Sequence, residues 1–132
     1  MTKLDSSALD LALSSLKEAY SVFLQNKDEN LKSIFQDSCV KRFEYTYELA
    51  KKMMNKYLKY EYDKVDLPID NVFREMFGLG MLENFENWQE YRIKRNETSH
   101  EYDLNKAKYI IDILDKFIKD VGFLAKKLKE TK

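Results

Sequence analysis

Apolar side chains recur three and four positions apart along most of the chain, which is the spacing of one face of an α-helix. With only three glycines and one proline, the sequence has too few turn residues for a β-rich domain. The pattern predicts an all-α bundle of four main helices and one short helix. They span about Ser6 to Leu24, Leu31 to Tyr60, Asp70 to Phe77, Asn84 to Thr98 or Ser99, and Leu104 to Lys129.

Residues typical of helix ends flank three of these segments. Asp5 or Ser6 could cap the first helix, and Asp103 could cap the last. Gly78-Leu79-Gly80 supplies a glycine stop for the short helix.

The second predicted helix is the longest and carries apolar side chains on two sides. One stripe is Leu31, Phe35, Cys39, Thr46, Ala50, Met53 and Tyr57, and the other is Val40, Phe43, Tyr47, Met54 and Leu58. A helix that is apolar on two sides needs packing partners on both. The pattern therefore indicates either a central position in the bundle or a subunit interface.

Length and charge narrow the class of protein. With 132 residues, 44% of them hydrophobic, the chain is predicted to form one domain over residues 1–132 with one core. Basic and acidic residues number 23 each, which argues against a surface that binds polyanions throughout. There is no secretory signal, no membrane-length apolar run and no zinc-type ligand spacing, so we expect a cytoplasmic protein without a metal or cofactor.

The fourth predicted helix changes from aromatic to cationic along one stripe, which is Phe85, Trp88, Arg92, Arg95 and Ser99. Arg95 offers a planar, permanently charged fork that suits a phosphate. His100, the only histidine, titrates near neutrality and could act as a general acid or base. In a continuous helix the two side chains would point about 140° apart, so they can meet at one phosphate only if the helix ends near Ser99.

These side chains also have structural interpretations. Arg95 and His100 could have structural or capping roles. Arg92 could be solvated, or paired with Glu86 or Asn96 about one turn away. Asn96 could instead orient the imidazole or bind a phosphate oxygen.

Tyr102 has two interpretations as well. Its phenol could be an exposed acceptor for a modifying group, or it could pack on Ala107 as a hydrophobic staple before the cap at Asp103.

The segment Arg95 to Tyr102 reads Arg-Asn-Glu-Thr-Ser-His-Glu-Tyr. It resembles the R-x-x-x-x-H-x-Y motif of HEPN proteins that are paired with minimal nucleotidyltransferases. The block Arg42 to Ala50 and the stretch Asn71 to Trp88 resemble further parts of that group. The resemblance extends from about Leu9 to Leu128.

The resemblance implies an up-and-down helical bundle that forms a homodimer and assembles with a separate nucleotidyltransferase, its antitoxin. It implies a toxin-type, metal-independent endoribonuclease in which Arg95 stabilises phosphoryl charge and His100 is the general acid or base. Asn96 and Arg92 would support them, and Tyr102 would accept the AMP that silences the nuclease. The alternative is a non-catalytic subunit that binds a substrate or positions the nucleotidyltransferase.

A basic stretch fits an RNA ligand independently of the motif. Between Lys41 and Lys59 there are six basic residues and only two acidic ones, Glu44 and Glu48. Such an excess could supply the electrostatic part of RNA binding. A solvated helix face is the alternative.

Overall fold

Five α-helices account for most of residues 5–98 and 104–130, the part of the chain that the computed structural model describes. They are α1 (Ser7–Gln25), α2 (Lys32–Tyr62), α3 (Ile69–Gly78), α4 (Phe85–Thr98) and α5 (Leu104–Glu130). All five predicted helices are confirmed. Within the described ranges, none is both long enough and apolar enough to cross a membrane.

Side chains just outside two helices satisfy the backbone N–H groups of the first turn. Asp5 accepts a hydrogen bond at 2.9 Å from the backbone N–H of Ser7, whereas the side chain of Ser6 makes no capping bond. At the start of α4, the side chain of Asn84 accepts the backbone N–H of Asn87 at 2.8 Å. Of the two candidate caps for α1, Asp5 is therefore the one that forms the bond.

A glycine stops α3, as the sequence predicts. The helix itself ends at Gly78, and Gly80, two residues later, adopts the turn conformation. Gly80 adopts a φ of 77°, a left-handed conformation that costs glycine little. The backbone N–H of Gly80 bonds to the carbonyl of Phe77, and that of Met81 bonds to the carbonyl of Met76. This pair of bonds is a Schellman motif, and it turns the chain towards α4.

The four long helices form an up-and-down bundle. α1 and α2 are joined by a short connection and pack closely along their lengths. α4 and α5 bring Asn87 against Asp120 near one end and Lys94 against Tyr109 near the other, which is the order of antiparallel neighbours.

α2 occupies the centre of the bundle and packs against each of the other four helices. Residues of both predicted apolar stripes are buried: Cys39, Val40, Phe43, Thr46, Tyr47, Ala50, Met53, Met54, Tyr57 and Leu58. Two residues of the first stripe depart from this pattern: Leu31 stays exposed, because it lies just before the first turn of α2, and Phe35 is only partly buried. The chain thus covers both sides of α2 by itself, which favours the central position over a subunit interface as the reason for the two stripes.

Aromatic side chains from α2, α4 and α5 meet in the core beside α4. The ring centroid of Phe117 lies 4.7 Å from that of Phe43 and 4.9 Å from that of Tyr91, both in edge-to-face geometry. Trp88 packs edge-on against Tyr91 at 5.3 Å. Edge-to-face pairs of this kind prefer particular orientations, so the cluster restricts how α4 can rotate against its neighbours.

Candidate functional site

A buried hydrogen-bond group fixes α4 against α5. Asp120 of α5 is only 5% exposed, and it accepts hydrogen bonds from the phenol of Tyr91 and, at 3.1 Å, from the amide of Asn87. Burial and the bond to Asp120 raise the pKa of Tyr91 well above its usual range, so the phenol stays protonated and donates. Arg95 follows Tyr91 by one helical turn, and the same contacts therefore set the direction in which it points.

Neither Tyr91 nor Asp120 belongs to the set of residues singled out from the sequence. Tyr91 lies three positions after Trp88, which is a helical spacing, but the stripe that contains Arg92 and Arg95 does not include it. Asp120 lies three positions after the buried Phe117 and so shares the apolar face of α5. A carboxylate on an apolar face is the one sequence feature that indicates it.

Arg95 is held by two carboxylates of α2. Its Nη1 lies 3.3 Å from Oε2 of Glu44, and its Nε lies 3.4 Å from Oε1 of Glu48. The side chain of Arg95 is 22% exposed, so the charged pair lies at the edge of the bundle with limited contact with water. Glu44 and Glu48 are one turn apart on α2 and present their carboxylates to the same neighbour.

This contact joins the two motif blocks noted in the sequence. Glu44 and Glu48 belong to the Arg42–Ala50 block, and Arg95 opens the Arg95–Tyr102 block. The two blocks lie far apart in the sequence, yet the bundle brings them into direct contact. The Glu44 and Glu48 carboxylates are functional candidates that the sequence by itself indicates only as two charges in a basic stretch.

Arg92 is ion-paired, but with a residue of another helix. Its Nη1 lies 2.9 Å from Oδ1 of Asp70 in the first turn of α3, and Gln89 donates to the same oxygen at 2.9 Å. The suggested pairing with Glu86 along α4 is therefore wrong. The bundle places α3 beside this face of α4, so Arg92 pairs with a residue of the neighbouring helix.

Tyr47 is only 2% exposed and lies close enough to both arginine pairs for their charges to act on its phenol. Burial raises the pKa of its phenol, and the charge of Glu48 raises it further, while Arg92 and Arg95 act in the opposite direction. Its protonated phenol and the pairs of Arg92 and Arg95 together form a polar cluster along the contact of α2 with α4.

The remaining predicted site residues lie at or beyond the described end of α4. Asn96 is exposed in the last described turn, directly after Arg95. His100, Tyr102 and the cap candidate Asp103 lie outside the described residues. The end of α4 before His100 and the choice between a staple and an accessible phenol at Tyr102 therefore stay predictions.

Within the basic stretch, several cations already have partners on the protein. Lys41 pairs with Asp37 at 3.3 Å, and Lys51 pairs with Glu48 at 3.1 Å. Arg42 donates a hydrogen bond at 2.9 Å to the hydroxyl of Ser15 on α1. These contacts lower the part of the local charge that is available to a ligand.

The five-helix bundle agrees with the HEPN-like fold that the sequence motifs imply. The chain belongs to the family described as "Nucleotidyltransferase substrate binding protein like", whose model matches residues 4–130. It is 31% identical, over an alignment of 140 positions, to a protein of Haemophilus influenzae named "Probable ribonuclease HepT". That alignment covers 97% of this chain and 94% of the relative.

Solved structures agree with this assignment. The structure of HI0074 from Haemophilus influenzae, described as revealing the fold of a substrate binding domain of a nucleotidyltransferase, superimposes with a TM-score of 0.87. The two sequences are 26% identical, and the match covers 96% of this chain and 100% of the other. A protein from Thermus thermophilus shares the fold at a TM-score of 0.78 and 23% identity, covering 92% of this chain and 99% of the other.

Proposed function

We propose that this protein is a metal-independent endoribonuclease of the HEPN toxin type, with Arg95 and His100 as its catalytic residues. The observation that carries the proposal is the placement of Arg95, whose guanidinium is oriented by Glu44 and Glu48 five residues before the motif histidine. The name of the Haemophilus relative, a probable ribonuclease, supports the same activity.

The reaction needs a base, an acid and a group that stabilises charge on phosphorus. In the proposed mechanism His100 takes the proton of a ribose 2′-hydroxyl while the 2′-oxygen attacks the adjacent phosphorus. The bond from phosphorus to the 5′-oxygen breaks, and Arg95 stabilises the negative charge on the non-bridging oxygens. A protonated His100 of a second subunit returns a proton to the leaving 5′-oxygen, so the products are a 2′,3′-cyclic phosphate and a 5′-hydroxyl.

Glu44 and Glu48 act in this proposal as positioning residues. A guanidinium is permanently charged, so two carboxylates one turn apart attract it to one location beside α2. Their negative charges also oppose a phosphate, which makes the pair a compromise between orientation and affinity.

Cleavage of RNA by purified, unmodified protein tests the proposal. We expect cleavage in the presence of EDTA, and a fall in rate of at least about a hundred-fold in Arg95→Ala and in His100→Ala. Arg74→Ala is the matched control, because Arg74 is an exposed arginine of α3 that stacks on Phe85 and touches none of the cluster. Wild-type protein that cuts no RNA would refute the nuclease.

The second candidate is a non-catalytic subunit that binds a substrate or positions a nucleotidyltransferase. The family description and the description of the HI0074 fold favour it. It predicts a stable complex with a nucleotidyltransferase and no RNA cleavage by the protein alone.

Silencing of the nuclease by transfer of AMP to Tyr102 completes the first proposal. Co-expression with a minimal nucleotidyltransferase should add the mass of one or more AMP groups to the intact chain. Tyr102→Phe should abolish the added mass, whereas Tyr60→Phe, which removes an exposed phenol of α2, should leave it unchanged. Added mass that persists in Tyr102→Phe would place the modification elsewhere.

We also propose that the protein works as a homodimer, since the mechanism uses His100 from two subunits. Exchange of wild-type subunits with His100→Ala subunits should then lower the activity more steeply than the wild-type share of the mixture falls, because a mixed dimer holds only one His100. Activity that falls only in proportion to the wild-type share would show that each subunit works with its own His100 and would contradict the shared site.

A further inference from the structure

A cleft of about 470 Å³ opens where the end of α1, the start of α2 and the first turns of α5 meet. It is lined by Phe23, Glu29, Lys32, Ser33, Gln36, Lys108, Ile111 and Asp112. Its volume falls within the range of small-molecule sites in proteins.

The lining combines a flat apolar surface with polar groups that carry no net charge. Phe23 and Ile111 are partly buried and form the apolar part, and Gln36, only 8% exposed, lines the cleft as a polar residue. Two lysines and two carboxylates complete it, so their charges cancel. A phosphate alone would prefer a purely cationic site, whereas an aromatic ring beside both donors and acceptors suits a nucleobase.

The cleft lies near the described start of α5. Lys108 comes four residues after Leu104, so it lies about 6 Å along the helix from that residue. The next residue, Tyr109, points to another side of α5, where the ammonium of Lys94 lies 5.0 Å from its ring centroid. The cleft and α4, which carries Lys94 and Arg95, therefore lie on different sides of the first turns of α5.

We propose that this cleft binds one nucleobase of a single-stranded RNA whose scissile phosphate is held at Arg95. The base stacks on Phe23, and the amide of Gln36 and the carboxylate of Asp112 contact its polar edge. The lysines at positions 32 and 108 contact the neighbouring backbone. This assignment rests on the proposed nuclease, and it adds a subsite that selects one nucleotide of the substrate.

Binding can be measured separately from cleavage. The assay is fluorescence anisotropy of a labelled single-stranded oligoribonucleotide with full-length His100→Ala protein, which is not expected to cut it. Phe23→Leu keeps apolar volume but removes the ring, and Lys108→Gln changes only an exposed side chain. We expect each to weaken binding about five-fold or more, because stacking on an aromatic ring contributes that much per base.

Lys119→Gln is the matched control, since Lys119 is an exposed lysine of α5 that does not line the cleft. It should change affinity by less than about two-fold. Equal losses of RNA affinity in Lys108→Gln and Lys119→Gln would show that only the general positive charge matters and would overturn the subsite.

Two further comparisons distinguish a nucleobase from a phosphate. AMP should compete for the cleft better than ribose 5-phosphate, and Asp112→Asn should weaken or redirect base preference. Equal competition by the two compounds, or tighter RNA binding in Asp112→Asn, would identify a phosphate site and refute the proposal.

The subsite and the nuclease can fail separately. If the wild type binds RNA through the cleft without cutting it, the nuclease fails while the subsite stands. If it cuts RNA and Phe23→Leu binds normally, only the subsite fails.

Discussion

The hydrogen bond from Tyr91 to Asp120 should be one of the larger polar contributions to the stability of the bundle. Tyr91→Phe removes one hydroxyl and leaves the ring in its edge-to-face contacts with Trp88 and Phe117. Asp120 then keeps Asn87 as its donor but loses its second one in a site that is 5% exposed. The substitution therefore isolates a single buried hydrogen bond.

The expected loss follows from the burial and charge of the acceptor. A hydrogen bond to a charged group contributes about 1.5–3 kcal/mol, and a buried acceptor deprived of a donor is at the upper part of that range. At roughly 2.1 cal/mol/K per residue, the 132 residues of this chain give an unfolding entropy of about 0.28 kcal/mol/K. A loss of about 2 kcal/mol thus lowers the Tm by about 7 °C.

Urea and thermal unfolding, followed by circular dichroism, measure this loss. Tyr45→Phe is the matched control, because Tyr45 is 62% exposed and its phenol should contribute less than about 0.5 kcal/mol. Asp120→Ala and the double variant complete a thermodynamic cycle. The sum of the stability losses in the two single variants should exceed the loss in the double variant by about 1–2 kcal/mol. A Tyr91→Phe protein as stable as Tyr45→Phe would refute the role given to the bond.

The same bond predicts how stability depends on pH. The pKa of Tyr91 is raised in the folded protein by burial and by the bond to Asp120, relative to about 10 in the unfolded chain. Its contribution is therefore fully present below pH 10 and is lost as the pH rises above that value. The stability difference between wild type and Tyr91→Phe should narrow between about pH 10 and 11, and a difference that widens there would contradict the assigned cause.

Three further predictions concern the site, the packing of α5 and the single thiol. In Glu44→Gln/Glu48→Gln we expect kcat for RNA cleavage to fall about ten-fold while KM does not rise, because Arg95 loses its orientation and the phosphate loses two opposing charges; an unchanged kcat would contradict the positioning role. Gly122→Ala should raise the Tm by about 3 °C, since the added methyl meets its nearest side-chain atom at 3.9 Å and alanine favours the middle of a helix by about 1 kcal/mol; a lowered Tm in thermal unfolding would show that the contact is unfavourable. Burial raises the pKa of the Cys39 thiol to about 11, so at pH 8 a thiol reagent should label it only after denaturant is added, and rapid labelling of native protein would show that the site opens.

The sequence predicts the helices well because their signal is local. Apolar residues at helical spacing and a polar residue such as Asn84 at a helix start act within a few positions of the chain, and the observed helices begin and end within two residues of the predicted bounds. The burial of both stripes of α2 follows from the same periodicity. Only the choice between a central helix and an interface required the packed structure.

The partners of the site arginines were not predictable in this way. Helical spacing suggests partners on the same helix about one turn away, such as Glu86 for Arg92. The observed partner, Asp70, is 22 positions away along the chain and becomes a neighbour only when α3 packs beside α4. Contacts between helices depend on crossing positions and rotations that no single helix specifies.

The orientation of Arg95 therefore depends on the core as much as on the motif. Adjacent residues of a helix point about 100° apart, so a rotation of α4 by one residue would turn Arg95 away from Glu44 and Glu48. The bond from Tyr91 to Asp120 and the pair of Arg92 with Asp70 oppose such a rotation from two sides of α4. If Arg95 is catalytic, a substitution at Tyr91 should lower the rate of RNA cleavage even where the protein stays fully folded, because it loosens the helix that carries the guanidinium.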